Sequence, residues 1–467
     1  MVLKPLVVAK FGGSVLNSPE AYVRVAEVIE RLNREYTVAV VVSAMKGVTD
    51  KLIRILENPQ DLEKELSALT TSHVRVLEKT VDDMNIFGEA FAYITRLSDE
   101  LARILWAVRY LRLITPKLRD YVLSFGERFS AKLLEAVLRA RGLDAVMLTG
   151  WEAGIVTDDR FGEANPVMEE TVPRVRSRLG KVLEDGKIPV ITGFIAATKN
   201  GEITTLGRGG SDFTASLLAS ILGAHAIIFY TDVPGVMSTD PRIAGNAVTV
   251  PRLCIEEAFE FARAGGKKFH PRTFEPLREA ATQTIITNIN EENRTLVEKQ
   301  CRPGAKTVAL LQGYAMVNIE GGYMAGRVGT AALVTGTAAR LGVNLAAFSQ
   351  PVTETRISLL VKLEDVDSFT SELERVFDRE GLPLRLSVER GIAAITVIGD
   401  GILSAHYMRR ILEEAMKAGC NVYSVSPGAK DKSLCLLVDE PCSIEAVKRI
   451  HDNIVLPDVE RLMKEQA

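Results

Sequence analysis

Two glycine-rich segments of this sequence contain residue types that can bind an anion. Lys10-Phe11-Gly12-Gly13-Ser14 has a lysine at the end of an apolar run, followed by two glycines. Residues 206–212 surround Arg208 with three glycines and lead into an uncharged stretch. Because glycines let backbone N–H groups approach a ligand and Lys or Arg supplies positive charge, both segments predict phosphate or carboxylate binding. In each segment, a serine or aspartate could instead simply cap the following helix.

Four further segments have polar residues at predicted turns or helix ends, in the ranges 43–50, 124–127, 231–235 and 265–268. Each also has an interpretation without function. Ser124-Phe125-Gly126-Glu127 fits a capping box, and Thr49 or Asp50 could cap a helix. The Pro-Gly and Gly-Gly pairs of the other two segments are common in turns and helix C-caps. The residues alone leave both interpretations open.

Several well-known catalytic motifs are absent from the sequence. It contains no GxxxxGK[ST], GxGxxG, HExxH or GxSxG pattern. The five histidines are scattered, which predicts packing or surface roles: His73, His225, His270, His406 and His451. These observations argue against a Walker-type nucleotide site, a zinc site and a hydrolase triad.

The elements that must position these residues alternate between strand and helix at the start of the chain. Residues 6–9 and 37–43 are apolar runs typical of buried strands, and an amphipathic helix is predicted between them at about 19–34. This βαβ opening predicts a mainly parallel sheet. Residues 213–231 contain no charged side chain, and their polar residues and Gly223 favour a buried helix (213–222) and a buried strand (226–230) over a membrane span.

Later segments extend this α/β pattern. Residues 60–120 have helical character only, which predicts an insertion rather than a separate domain. Further strands are predicted at 145–148, 189–194, 226–230 and 283–289, with a hairpin turning at Asn200-Gly201. The polar segment 290–306 predicts a domain boundary. The predicted divisions are a large first domain (1–300), a linker and strand (301–312) and two small modules (313–390 and 391–467).

The two C-terminal modules are an internal repeat. Val317-Asn318-Ile319-Glu320-Gly321 resembles Ile395-Thr396-Val397-Ile398-Gly399, and Gly342-Val343-Asn344 resembles Gly419-Cys420-Asn421. Each unit predicts the order strand, helix, strand, strand, helix, and the first adds a closing strand at 384–388, which is typical of a ferredoxin-like βαββαβ module. The second unit has no clear final strand, so residues 307–311 are predicted to complete it as part of an interleaved pair.

Composition limits the partners and the compartment. The formal net charge of −3, from 57 basic and 60 acidic residues, provides no basic field for nucleic acid. The five cysteines are odd in number and never form a CxxC pair, which predicts a reducing compartment without disulfides. The N-terminus has no signal-peptide pattern, so a cytoplasmic location is expected.

Six segments occur in the order found in aspartate kinases of the amino-acid kinase superfamily, at 10–14, 43–49, 124–127, 206–212, 231–242 and 265–271. The sequence resembles this family over essentially its whole length, because the duplicated modules resemble ACT domains. The resemblance implies an α/β fold, a three-layer αβα sandwich with a mainly parallel sheet, followed by two ferredoxin-like ACT modules. It also implies ATP-dependent phosphorylation of the β-carboxylate of L-aspartate to 4-phospho-L-aspartate, the first step of lysine, threonine and methionine biosynthesis.

The resemblance also implies residue roles. Lys10 and Asp212 are expected to be catalytic. The residues expected to bind substrate are Ser43, Thr49, Glu127, Arg208 and Ser211. Those expected to bind nucleotide are Lys10, Phe11, Gly12, Gly13, Ser14, Thr231, Asp232, Met237, Arg242, Lys267 and Lys268. Mg²⁺ is expected to bind mainly through ATP phosphates and water, without dedicated protein ligands. Met237 departs from the family, which often has tyrosine at this position.

The paired modules imply feedback by an amino acid, lysine or threonine, and a homodimer or dimer of dimers. The loops expected to bind the effector contain Gly326, Gly329, Ser349, Gln350, Thr353 and Glu354. The alternative is that these are ordinary turns in a module used only for dimerisation. The second module lacks the GxxG pattern of the first.

Two other functions fit parts of the sequence. One is a kinase of the same fold with another acceptor, such as glutamate or a nucleoside monophosphate; Arg208 and Glu127, a matched pair for a zwitterion, argue against the nucleotide. The other is a non-catalytic amino-acid sensor, against which the intact Lys10, Arg208 and Asp212 argue.

Overall fold

The computed structural model describes residues 4–265 and 269–465, which form two compact units. One unit contains the chain up to Met237 together with Thr249–Arg302, and the other contains Ser238–Val248 and the chain from Pro303 onward. The predicted domain limits do not include this excursion at 238–248.

The first unit has eleven strands and eight α-helices among the described residues. Its strands are β1 (Leu6–Phe11), β2 (Thr37–Val42), β3 (Ala145–Leu148), β4 (Val156–Thr157), β5 (Ile188–Thr192), β6 (Ile195–Thr198), β7 (Ile203–Thr205), β8 (Ala226–Thr231), β9 (Arg252–Cys254), β10 (Gln283–Asn288) and β11 (Arg294–Glu298). Its helices are α1 (Pro19–Glu35), α2 (Val48–Glu57), α3 (Leu62–Thr80), α4 (Met84–Leu111), α5 (Pro116–Ala140), α6 (Met168–Glu184), α7 (Gly210–Leu222) and α8 (Ile255–Arg263).

An eight-stranded, mainly parallel sheet is the centre of this unit, in the order β3-β5-β2-β1-β8-β10-β11-β9. Strands β1 and β2 are buried at almost every position, because helices cover both faces of a parallel sheet. The predicted mainly parallel sheet is confirmed. Strand β11 was missed, since its short run of alternating burial, flanked by Arg294 and Glu298, lies inside a polar segment that sequence patterns do not distinguish from a turn.

The helix starts settle the capping interpretations. Residues 124–127 lie in the middle of α5, whose N-cap is Thr115, so the capping box is wrong. Helix α7 begins after Gly209, and α2 begins after Gly47, with no side-chain cap in either case. Ser14 lies within a short 3₁₀ turn that also lacks a side-chain cap. The polar side chains of these segments therefore do not act as helix caps.

The second unit is a six-stranded antiparallel sheet with helices. Its elements are β12 (Gly304–Glu320), α9 (Thr330–Leu341), β13 (Leu345–Ser349), β14 (Arg356–Lys362), α10 (Val366–Arg379), β15 (Arg385–Asp400), α11 (Ala405–Lys417), β16 (Val422–Pro427), β17 (Ser433–Asp439), α12 (Glu440–Ile450) and α13 (Leu456–Lys464). The strand order is β13-β14-β12-β15-β17-β16. The first half of β12 pairs with the second half of β15, so residues 307–311 complete the second module, as predicted.

The excursion Ser238–Val248 is held within this second unit by buried polar contacts. Ser238 Oγ lies 2.9 Å from His451 Nε2 and also accepts the Val248 N–H at 3.0 Å. His451 Nδ1 lies 2.9 Å from Asp452. Because Ser238 and His451 are both fully buried, this Ser-His-Asp arrangement is a packing contact and not a hydrolytic triad.

The cysteines contradict the expectation of a chain without disulfides. Cys254 is bonded to Cys301 in the first unit, and Cys420 is bonded to Cys442 in the second. Cys435 is free. Widely spaced cysteines became partners because β9 lies beside β11 and α11 packs on α12, which spacing along the chain does not reveal. The cytoplasmic location stays a prediction.

The charge-free segment 213–231 forms most of α7 and β8, as predicted. No helix in either described range is long and apolar enough to cross a membrane.

Candidate active site

Lys10 occupies the carboxyl-terminal edge of the parallel sheet. It is the second-last residue of β1 and lies between Val41 of β2 and Phe229 of β8. Strand β5 continues this edge beyond β2. Ligands of open α/β sheets bind in the crevice outside the carboxyl ends of the strands, so this edge is the expected place for the predicted site residues.

A buried ion pair joins the two predicted catalytic residues. Lys10 Nζ lies 2.5 Å from Asp212 Oδ1, and the two residues are only 7% and 8% exposed. Asp212 belongs to the first turn of α7, where the N-terminal end of the helix dipole favours negative charge. The lysine ammonium also lies over Gly12, because a Cβ built there would be 3.3 Å from Nζ. Lys10, Gly12 and the start of α7 thus form one cationic corner.

Close packing of glycines brings two further segments to this corner. A Cβ on Gly13 would lie 2.6 Å from the Ala44 carbonyl oxygen, and one on Gly126 would lie 2.9 Å from the Ala44 Cβ. The Ala44 N–H donates a hydrogen bond of 3.2 Å to Glu127 Oε1. The turn after β1, the loop after β2 and the middle of α5 therefore converge. Ser43 is partly exposed in that loop, and Thr49 is partly exposed in the first turn of α2.

Glu127 is a buried carboxyl group that has no cationic partner among the residues that the structure describes. It is 3% exposed, and its Oε2 atom has no hydrogen-bond partner among the described residues. Burial is the main cause that raises the pKa of Glu127 to about 8, and the Ala44 N–H opposes this only in part. An ionised carboxylate in this position needs a cation, such as an ammonium group, to balance its buried negative charge.

The glycine-rich loop 206–212 presents a free guanidinium. Arg208 is exposed and forms no hydrogen bond or ion pair with any residue in the described ranges. The loop backbone is fixed, because Arg272 donates to the Leu206 carbonyl at 2.9 Å and lies 4.7 Å from the centre of the Phe213 ring. A rigid backbone with an unpaired arginine is suited to bind a carboxylate or phosphate.

Three positioning residues were not found from the sequence. Phe194 follows β5 in a left-handed conformation (φ 66°) and donates its N–H to Thr214 in α7 at 3.2 Å. Asp120 is fully buried and accepts hydrogen bonds from Gly162 and Thr205, which aligns the strand that enters the loop. No local pattern marks these residues or Arg272, because their partners are distant in the chain.

The remaining predicted nucleotide residues of this unit have mixed surroundings. The Phe11 side chain is buried and stacks on Tyr230, with ring centres 4.7 Å apart, so only its backbone could contact a ligand. Thr231 accepts the Val233 N–H at 3.1 Å, which closes an ordinary turn, and the exposed Asp232 follows it. Met237 Sδ accepts a hydrogen bond of 3.8 Å from Thr249.

Three predicted nucleotide residues are not brought to the site within the first unit. Arg242 belongs to the excursion in the second unit, where its guanidinium bonds with Asp240. Lys267 and Lys268 lie outside the described residues. Ser211 does lie at the site. It packs against Gly193, which follows the carboxyl end of β5, because a Cβ added to Gly193 would be 2.6 Å from the Ser211 Cβ.

The two predicted effector loops are adjacent in the first ACT-like module. The Gly326 N–H donates to Glu354 Oε2 at 2.7 Å, and the Thr353 hydroxyl lies 3.2 Å from Thr355 Oγ1. Gly326 and Gly329 have positive φ values of 72° and 102°. Ser349 and Gln350 are exposed at the end of β13. The loops thus form one exposed surface.

A cationic, glycine-lined corner at the carboxyl edge of a parallel sheet defines an α/β enzyme that handles anionic groups. Comparison with known proteins makes this specific. Residues 5–288 match the model of the amino acid kinase family. The chain is 31% identical to aspartokinase 1, chloroplastic, of Arabidopsis thaliana, over 95% of this chain and 79% of that protein. This chain belongs to the amino acid kinase family, and within it to the aspartokinases.

Solved structures agree over both units. Aspartokinase III of E. coli in complex with lysine and aspartate is 28% identical, with a TM-score of 0.79, over 96% of this chain and 99% of that one. The complex of the same enzyme with aspartate and ADP is 26% identical, also with a TM-score of 0.79 and the same coverage. A Clostridium acetobutylicum aspartate kinase, 19% identical with a TM-score of 0.75 over 96% and 99% of the two chains, shares the fold.

Proposed function

We propose that this protein transfers the γ-phosphoryl group of ATP to the β-carboxylate of L-aspartate, forming 4-phospho-L-aspartate and ADP. The observation that carries the proposal is the buried Lys10–Asp212 pair at the glycine-rich corner, with Glu127 and Arg208 available for a zwitterionic substrate. The E. coli relative binds aspartate and ADP, which supports the same substrates here.

The chemistry needs no general base. The β-carboxylate has an ordinary pKa of about 3.9, so it is already ionised at neutral pH and attacks phosphorus directly. A new P–O bond forms to the carboxylate, the bond to the β,γ-bridging oxygen breaks, and ADP leaves with that electron pair. The main obstacle is repulsion between two anions, so positive charge and N–H dipoles supply the catalysis.

Each residue has a role in this proposal. Lys10 neutralises charge on the transferring group, and Asp212 holds the lysine in place. The Gly12-Gly13 backbone and the N-terminus of α7 face the phosphates, since neither helix start is capped by a side chain. Ser211 at the start of α7 would add a hydroxyl to the same site.

Substrate and metal binding follow from the remaining groups. Arg208 binds the α-carboxylate of aspartate, Glu127 binds its α-ammonium, and Ser43 and Thr49 add hydrogen bonds. Mg²⁺, when bound, screens the phosphate charge. The residues fit a metal held mainly by ATP phosphates and water, since the carboxylate at the corner, Asp212, is paired with Lys10.

Nucleotide and effector binding complete the proposal. Thr231, Asp232 and Met237 follow the central strand β8 and would contact the nucleotide, together with Lys267 and Lys268. Lysine or threonine would bind the loops around Gly326 and Glu354, which share a hydrogen bond. The lysine bound to the E. coli relative supports this regulation.

The test is ATP-dependent formation of aspartyl hydroxamate in the presence of hydroxylamine and Mg²⁺. We expect activity in the parent protein, its loss by about a hundredfold or more in Lys10→Ala, and inhibition by lysine or threonine. Lys187→Ala, which removes an exposed lysine, is the control and should keep full activity. Full activity of Lys10→Ala would overturn the role of Lys10, and an inactive parent protein would overturn the proposed function. Replacing aspartate with glutamate tests the acceptor.

A further inference from the structure

Lys46 is a positively charged residue at the catalytic corner to which the proposed function gives no role. It lies in the loop after β2, directly before Gly47, whose left-handed backbone (φ 79°) precedes helix α2. The last residue of β2, Val42, pairs with Phe11 at the end of β1. The loop therefore leaves the sheet at its carboxyl edge, beside residues 12–14, which we call the phosphate turn.

The backbone of Lys46 packs against the phosphate turn. A Cβ added to Gly13 would lie 3.5 Å from the Lys46 nitrogen and 3.6 Å from its Cα. A Cβ added to the neighbouring Gly12 would instead lie 3.3 Å from Lys10 Nζ. The two glycines thus adjoin two different lysines. Because a lysine ammonium is carried on a long, flexible stem, Lys46 is within reach of a phosphate held by the turn.

The side chain of Lys46 has no partner within the protein. It is exposed and forms no hydrogen bond or ion pair with any residue between 4 and 265 or between 269 and 465. Lys51 in α2 differs, because its ammonium is paired with Glu65 at 3.1 Å. Exposed lysines are common on protein surfaces. What distinguishes Lys46 is an unpaired charge next to the phosphate turn.

The charge balance of the site gives Lys46 a use. The segments 10–14, 43–49, 124–127 and 206–212 meet at the corner, and their positively charged side chains are Lys10, Lys46 and Arg208. The charge of Lys10 is offset in part by Asp212, 2.5 Å away. Arg208 is assigned to the α-carboxylate of aspartate. Of these three cations, Lys46 is the one with neither a protein partner nor an assigned ligand.

The position of Lys46 in the chain indicates which negative charge it meets. Ser43 and Thr49, on either side of it in sequence, are assigned to the acceptor aspartate, whereas Gly13 belongs to the phosphate turn. Lys46 therefore lies where the acceptor and the phosphoryl donor approach each other. Repulsion between these two anions is the main obstacle to the reaction, so a cation is most effective at this place.

We propose that Lys46 contacts the γ-phosphoryl group of ATP and stabilises its negative charge during transfer to the β-carboxylate of aspartate. This role rests on the proposed function. Lys46 stays protonated throughout, because an ammonium group supplies charge and three N–H donors without taking part in bond making. Since its stem is exposed and flexible, its contribution should be smaller than that of the buried Lys10.

Kinetics of substituted proteins test this contribution. Lys46→Met removes the charge and keeps most of the side-chain length, so kcat for hydroxamate formation should fall by about tenfold or more. The KM for aspartate should change by less than about threefold, because the lost charge acts on the transferring group. Lys46→Arg should recover most of the kcat. Lys51→Met, which removes the paired lysine of α2, is the matched control and should keep its kcat.

Three kinetic results would overturn the proposal. They are full kcat in Lys46→Met, an equal loss in Lys51→Met, and no recovery in Lys46→Arg.

Chemical labelling tests the contact without relying on catalysis. Acetylation of Lys46 in the full-length parent protein, measured by mass spectrometry, should be slowed by about threefold or more by Mg²⁺ with a non-hydrolysable ATP analogue. Mg²⁺ with ADP should slow it little, because ADP has no γ-phosphate. The exposed Lys187 should be labelled equally in all samples. Equal labelling of Lys46 with and without the analogue, or equal protection by ADP, would make Lys46 an ordinary surface lysine and overturn the contact.

The two experiments separate this role from the proposed function. A parent protein that forms hydroxamate while Lys46→Met keeps full kcat overturns only the role of Lys46. An inactive parent protein overturns the proposed function. In that case, protection of Lys46 by the analogue alone still supports the γ-phosphate contact, and its absence overturns it.

Discussion

Glu127 is the residue at which the site departs most from ordinary protein chemistry. Its carboxyl group is buried, one oxygen has no hydrogen-bond partner in the described part of the chain, and burial raises its pKa to about 8. The unfolded pKa is near 4.5, so this group favours the folded state fully below pH 4.5, and that contribution is lost as the pH rises through about 8. At neutral pH Glu127 therefore reduces stability, which is typical of a residue retained for binding.

Replacing Glu127 separates stability from function. Glu127→Gln should raise the free energy of unfolding at pH 7.5 by more than about 1 kcal/mol, because the ionisation penalty disappears. It should also raise the KM for aspartate by tenfold or more, since the α-ammonium loses its counter-charge. Thermal unfolding and hydroxamate kinetics measure the two effects.

Glu135 on the same helix provides the matched control. It is also buried, but it is paired with Lys132 at 2.5 Å and with Arg139 at 3.5 Å. Glu135→Gln should lower stability because both cations lose their partner, and should leave the KM for aspartate unchanged. If Glu127→Gln destabilises the protein as Glu135→Gln does, buried Glu127 does not lower the stability of the protein at neutral pH as proposed.

The pH dependence of aspartate binding follows from the same group. The substrate ammonium requires ionised Glu127, so the KM for aspartate should fall as the pH rises from 6 towards about 8. In Glu127→Gln the KM for aspartate should no longer change between pH 6 and about 8, whereas the KM for ATP should change little with pH in both proteins. If the KM for aspartate of the variant falls with pH as it does in the parent protein, another group is responsible for the titration.

At the scale of elements, the start of α7 is fixed by glycines that allow close approach. Gly209 has φ 72°, and a Cβ there would lie 2.4 Å from the His270 Cβ. Gly210 packs against Phe194 and Leu206. The helix can begin here only because the backbone reaches positions that a side chain would block, and this start sets the place of Asp212.

Gly209→Ala should displace the start of α7 and weaken the Lys10–Asp212 pair. We expect kcat to fall by tenfold or more, with a loss of about 1–3 kcal/mol in the free energy of unfolding. Gly142→Ala is the control, because Gly142 has a similar φ of 82° but open space around its Cβ position. It should lose about 1–2 kcal/mol from backbone strain alone and keep its kcat. Equal kcat values in the two variants would contradict the positioning role of Gly209.

At the scale of the whole molecule, each unit contains one disulfide, and the chain leaves the first unit at Met237 and returns at Thr249. The Cys420–Cys442 bond joins residues 22 apart in sequence and links the end of α11 to the start of α12. A cross-link of this length limits the unfolded chain and so stabilises the second module.

The double variant Cys420→Ser/Cys442→Ser should lose about 3 kcal/mol of stability in the second unit under oxidising conditions. Under reducing conditions the variant and the parent should unfold alike. Cys435→Ser, which removes the free cysteine, should show no such dependence on the redox state. Denaturant unfolding with and without reductant measures these differences, and identical parent curves in the two conditions would show that the disulfide contributes no stability.

The sequence by itself determined the elements and much of the chemistry. Apolar runs predicted β1, β2, β8 and β10, and the repeat predicted that residues 307–311 complete the second module, because periodicity and self-similarity are local properties of the chain. Lysine, arginine and glycines in two segments predicted an anion site, since residue type alone fixes charge and backbone freedom. The roles of individual residues stay predictions until the variants are measured.

Tertiary structure decided which of these residues meet. It buried Glu127 inside α5, where the sequence allowed a helix cap, and paired Lys10 with Asp212 across two hundred residues of chain. It also placed Arg242 in the second unit and joined cysteines that spacing had left apart. Burial, desolvation and contacts between distant segments arise only when the chain folds, so no local pattern contains them.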